Sequence, residues 1–90
     1  MWTLNYTTQF KKDLKHYKDN KEALKALSDV LSQLQSEGKV KPSLRPHRLS
    51  GTYVDCMECH ILSDFLLIWI NEKEKIISLV RLGSHSQLFK

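Results

Sequence analysis

Residues 53–82 read YVDCMECHIL, SDFLLIWI and NEKEKIISLVRL, and this stretch decides the fold. Apolar runs of strand length alternate with short polar breaks. Ser63-Asp64 is a turn signal, and so is Asn71 to Glu74. The spacing predicts strands over 53–61, 65–70 and 75–82, joined as an antiparallel meander. Phe65 to Ile70 is bulky and apolar throughout, as a buried strand is. Ser50-Gly51 is a turn ahead of the first of these strands. Gly83 breaks the last one and leaves Ser84 to Lys90 as a short tail.

Before about Leu44 the period is different. Trp2, Leu4 and Tyr6 alternate with Thr3 and Asn5, which predicts a short first strand. Phe10, Leu14 and Tyr17 then fall at i, i+4 and i+7, with Lys11, Lys12, Lys15 and Lys18 between them. That is an amphipathic helix near 8–18 with a basic outer face. Asp19 and Glu22 have the spacing of a capping box. Behind them Ala23, Leu24, Leu27, Val30, Leu31 and Leu34 make a helical stripe that Gly38 can close, giving a helix near 20–37. The expected fold is α+β: an N-terminal strand and a helix hairpin packed on one face of a mostly antiparallel sheet.

Composition sets the outer limits. Ninety residues are read as one domain, 1–90, with a single core. With 41% hydrophobic and 27% charged residues, the chain is neither collagen-like nor disordered. No apolar run reaches the roughly 18 residues of a membrane helix. Met1 to Tyr6 lacks a basic start and an apolar stretch, so a cytoplasmic location with free thiols is expected. The net charge is +4, unevenly spread. Residues 1–50 hold ten Lys/Arg against five Asp/Glu, and residues 51–90 hold four against five. A basic first half suits a polyanion or an acidic protein partner, or is simply a solvated helix surface.

The meander also places chemistry. A strand ending near His60 turns through Asp64, and the last strand returns to the same edge at Arg81, with His85 four residues on. Two imidazoles, a carboxylate and a guanidinium then share one edge, which makes them candidates for acid–base chemistry. Cys56-Met57-Glu58-Cys59-His60 matches the haem-attachment pattern C-x-x-C-H and could begin a zinc site. No second ligand pair accompanies it. Strand alternation would send Cys56 and Cys59 to opposite faces and put Cys59 with Met57 and Ile61 in the core. No metal and no cofactor are expected.

Pro46-His47-Arg48-Leu49-Ser50-Gly51, Glu58-Cys59-His60-Ile61, Asp64-Phe65-Leu66-Leu67-Ile68-Trp69 and Arg81 to Phe89 together resemble the YafQ-like branch of RelE toxins. The resemblance implies a toxin of a type II toxin–antitoxin system that cuts mRNA on the ribosome, with a small acidic antitoxin as partner. It places His47, His60, Asp64, Arg81, His85 and Phe89 on active-site positions. Phe65 stands where a close relative has Trp, which makes it a third substrate-binding candidate with His47 and Phe89. Met57 stands where relatives often have Arg. The implied chemistry is metal-free attack by the substrate 2′-OH. His85 would be the acid, His60 or Asp64 the base, and Arg81 the phosphate ligand. The alternative is a non-catalytic module of the same fold that binds a protein or ribosomal partner.

Overall fold

The computed structural model describes residues 1–89; Lys90, the end of the expected tail, lies outside the described residues. The chain runs through strand β1 (Thr3–Tyr6), helix α1 (Thr8–Lys15), helix α2 (Lys21–Glu37) and strand β2 (His47–Arg48). Strands β3 (Met57–Leu62), β4 (Phe65–Glu72) and β5 (Ile76–Gly83) follow, then the short helix α3 (His85–Leu88). The five strands form one sheet in the order β1-β5-β4-β3-β2. All pairs are antiparallel except β1 with β5, which is parallel. This is the expected α+β class.

Local chemistry explains most boundaries. Thr7 caps α1 by accepting from the Phe10 N–H at 3.1 Å. The helix stops at Lys15 rather than running to 18, and residues 16–19 are turn. Asn20, not Asp19, caps α2: its backbone is extended and its Oδ1 accepts from the Ala23 N–H at 3.0 Å. The strand expected from Tyr53 begins only at Met57. Residues Gly51–Tyr53 form a 3-10 turn, and Asp55 sits at φ 71°, a left-handed conformation that interrupts a strand. The tail contains a helix, α3, closed by a capping box of Ser84 and Gln87. Among the described residues no helix is long and apolar enough to cross a membrane.

The two faces of the sheet are unequal. On one, Phe10 of α1 and Ala23, Leu27, Val30 and Leu34 of α2 pack over Cys59, Leu67, Trp69, Ile77 and Leu79. On the other, a smaller cluster of Cys56, Leu66, Ile68 and Leu88 is edged by Leu49, Tyr53, Val80 and Phe89. A β-bulge joins these facts. Ile68 pairs with Arg81 and Trp69 with Leu79, so Val80 is the extra residue. Leu79 and Leu82 can then both stay in the helix-side core while Val80 and Arg81 turn away from it.

Candidate active site

Register lines up the polar groups across the sheet. His47 of β2 pairs with Glu58 of β3, Glu58 with Ile68 of β4, and Ile68 with Arg81 of β5. The next row holds His60, Leu66 and Gly83. Leu66 and Ile68 floor the space between β3 and β5, two strand spacings or about 10 Å across. At one side His47 Nε2 lies 3.1 Å from Glu58 Oε1, and its Nδ1 lies 3.0 Å from the Arg45 carbonyl. Both ring nitrogens thus lie within hydrogen-bonding distance of an oxygen. Glu58 is only 3% exposed. Its Oε2 and the Nδ1 of His60 are buried without a hydrogen-bond partner among the described residues. The His47 and His60 rings are 6.1 Å apart, and ligand atoms of His47, Glu58 and His60 all lie within 4.8 Å of one another.

The other side is built on α3. Asp64 Oδ1, in the β3–β4 turn, accepts the backbone N–H of His85 at 2.9 Å. This bond ties the turn to the first residue of α3. The exposed His85 ring lies 4.8 Å from that of Phe89, which meets Tyr53 edge-on at 5.5 Å. Tyr53 Oη donates to the Leu88 carbonyl at 3.1 Å and accepts from Arg81 Nη1 at 3.2 Å. Asp64, His85, Phe89, Tyr53 and Arg81 thus form one connected group. His47, Glu58 and His60 form a second, one strand away across β4.

Phe65 departs from the expectation. Its ring is 5% exposed in the helix-side core, 4.6 Å from Tyr17, so it braces the turn from beneath and offers no face to a ligand. Alternation decides this, because Leu66 and not Phe65 points to the face that carries His60. Met57 also packs on the helix side, away from His60. Cys56 and Cys59 belong to different clusters on opposite faces. Burial, with the nearby Glu58 charge, pushes the Cys59 thiol up to about 12, and burial with Asp55 raises that of Cys56. Three residues of the site were missed in the sequence. Glu58 had a signal, since it stands two before His60 in a strand and shares its face. Tyr53 and Asp13 had none, because their partner is Arg81, 28 and 68 residues away.

A family model described as a bacterial toxin of type II toxin–antitoxin system, YafQ, matches residues 2–90. A search of curated proteins finds no match. Among solved structures, a metal-bound toxin from Helicobacter pylori is 40% identical with a TM-score of 0.85, covering 99% of this chain and 100% of that one. YafQ from E. coli strain BL21(DE3) is 22% identical with a TM-score of 0.86 over the whole of both chains. The structure of the E. coli DinJ-YafQ toxin–antitoxin complex matches at 23% identity and a TM-score of 0.83, covering 99% of this chain and 98% of that one. The E. coli structures share the fold, while the family model and the H. pylori toxin carry the relationship. The chain belongs to the YafQ family of type II toxin–antitoxin toxins.

Proposed function

We propose that this toxin is an endoribonuclease that cuts mRNA on the ribosome in the cytoplasm, and that a small acidic antitoxin neutralises it. The observation that carries the reading is that the register sets His60 of β3 and Arg81 of β5 on either side of Leu66 and Ile68, while Asp64 of the β3–β4 turn holds the helix that begins at His85. RNA supplies its own nucleophile. His60 takes the 2′-OH proton, and the 2′-oxygen bonds to phosphorus as the bond to the 5′-oxygen breaks. His85 gives that oxygen a proton. The products are a 2′,3′-cyclic phosphate and a 5′-OH. Glu58, within 4.8 Å of the His60 ring nitrogen, stabilises the imidazolium formed there. Asp64, occupied by the His85 N–H, serves to hold α3 rather than as base. Arg81 binds the phosphate oxygens. His47 and Phe89 flank the RNA strand. The basic first half suits both ribosomal RNA and an antitoxin of opposite charge, and the E. coli DinJ-YafQ structure is described as a toxin–antitoxin complex.

The test is cleavage of mRNA on programmed ribosomes with 5′ ends mapped. The wild type is expected to cut within translated codons. His85→Ala should slow cleavage by about two to four orders of magnitude while circular dichroism stays unchanged. A wild type that arrests growth without cutting any RNA points instead to the non-catalytic binding module.

A second reading rests on one observation, the unpartnered buried atoms of Glu58 and His60 beside His47. Two imidazoles and a carboxylate fit a divalent transition ion with an open position, and the 40%-identical H. pylori toxin is described as metal-bound. When bound, such an ion would supply a Lewis acid. It would also occupy the lone pair with which His60 takes the proton. Under the metal-free reading, zinc slows cleavage and a chelator leaves it unchanged. Loss of activity with the chelator favours the metal.

A further inference from the structure

Arg81 is not a free arm. Its Nε donates to Asp13 Oδ2 at 2.8 Å and its Nη2 to Asp13 Oδ1 at 3.2 Å. Asp13 lies on α1 and is 7% exposed. Its Oδ2 also accepts the Leu82 N–H at 2.9 Å, and its Oδ1 accepts from Gln9 Nε2 at 3.1 Å. The Leu82 N–H needs such a partner because β1 stops opposite Leu79, leaving the end of β5 without a strand on the side away from β4. On the other side of the guanidinium, Nη1 donates to Tyr53 Oη, which is itself tied to the Leu88 carbonyl. Among the described residues three of the guanidinium's five N–H donors are therefore engaged, leaving one on each Nη. Arg81 also lines a cavity of about 360 Å³ with Thr52, Tyr53, Gln87 and Phe89.

We propose that Asp13 and Tyr53 are positioning residues for RNA cleavage: they clamp the Arg81 guanidinium from two sides, so that its two remaining donors are held in place for the scissile phosphate. The inference rests on the nuclease reading and goes beyond it, because neither residue belongs to the acid–base set. The physical ground is preorganisation. Donors already fixed in place stabilise charge developing in the transition state without reorganising during the reaction. A buried carboxylate with four donors around it is a rigid support for such an arginine.

Asp13 also clips α1 to β5 through Leu82, so the test must separate a catalytic effect from a structural one. Asp13→Asn keeps an acceptor for the Leu82 N–H and loses the charge. Tyr53→Phe removes the opposite tether and leaves the clip alone. Both are assayed on programmed ribosomes with the full chain, alone and combined with Arg81→Ala, with thermal melts alongside. In the wild-type background Asp13→Asn is expected to lower kcat about 10- to 100-fold with little change in KM, and Tyr53→Phe to lower it by a smaller factor. With Arg81→Ala already present, neither should lower it further. Wild-type kcat in a folded Asp13→Asn protein overturns the proposal, as does an equal loss with and without Arg81. Should Asp13→Asn fail to fold, an unchanged rate in Tyr53→Phe overturns the clamp. If the wild type itself cuts no RNA, the nuclease reading falls and takes the clamp with it. A cutting wild type with unaffected variants removes the clamp alone.

Discussion

Glu58 joins the two histidines of the β2–β3 side, and its surroundings make it sensitive. One carboxylate oxygen is held by His47 and the other has no partner, in a side chain that is 5% exposed. Removing His47 would leave the buried Glu58 carboxyl group without its side-chain hydrogen-bond partner. A buried polar group left unsatisfied is destabilising by about 1–3 kcal/mol. His47→Ala is therefore expected to lower stability by about that amount in urea denaturation. Glu58→Gln, added to it, should restore part of the loss, since a neutral amide is less costly to bury. An additive pair would mean that the two side chains do not act on each other. Cys59 gives a second expectation at this scale. With its thiol pushed up to about 12 by burial and by Glu58, it carries almost no thiolate at pH 8. Iodoacetamide should leave it unlabelled in the native protein and label it only on unfolding, followed by mass spectrometry.

At the scale of the elements, the ends of α2 matter most. Gly38 closes the helix at φ 73°, and its N–H donates to the Leu34 carbonyl at 2.8 Å. A Cβ there would run into the Trp2 indole, which packs against the core beside it. Trp2 is fixed in place by its own N–H to the Gln35 carbonyl at 2.7 Å. Gly38→Ala combines a left-handed backbone with a clash, so a loss of about 1–3 kcal/mol is expected by urea denaturation. Asn20→Ala should cost about 1 kcal/mol, and Asp19→Ala much less. The reverse order would restore the capping box suggested by the sequence. Asp and Asn are nearly equal caps, so residue type could not choose between positions 19 and 20. The backbone path out of α1 made the choice.

For the whole molecule, Asp13 links α1, β5 and, through Arg81 and Tyr53, α3. Burial by itself raises the Asp13 pKa. The hydrogen bonds from Arg81, Leu82 and Gln9, together with the Arg81 charge, outweigh it and hold the carboxyl below its ordinary value. A carboxyl lowered on folding stabilises the native state while it is ionised in both states. That contribution is complete above the unfolded value of about 3.9 and fades as pH falls from there through the folded one. Wild-type stability should thus exceed that of Asp13→Asn near neutrality, and the gap should narrow below about pH 4. Chemical denaturation at several pH values measures it. A gap that widens toward acid would contradict the pairing.

Read alone, the sequence determined the class of fold, the three long strands and their turns, both main helices, and the presence of His60, Asp64 and Arg81 on adjoining strands and the turn between two of them. These depend on hydrophobic period, on turn residues and on caps, all of which act within a few positions along the chain. It did not disclose that Asp55 interrupts the strand ahead of Met57, that the tail folds into α3, or that two residues at His47 form an edge strand. Such short pieces have no period of their own, and tertiary neighbours stabilise them. The tertiary structure alone decided that Phe65 faces the core, that Glu58 stands between His47 and His60, and that Arg81 is held by Asp13 and Tyr53. Those partners are separated by up to 68 residues, and only the strand order and one bulge bring them within hydrogen-bonding distance.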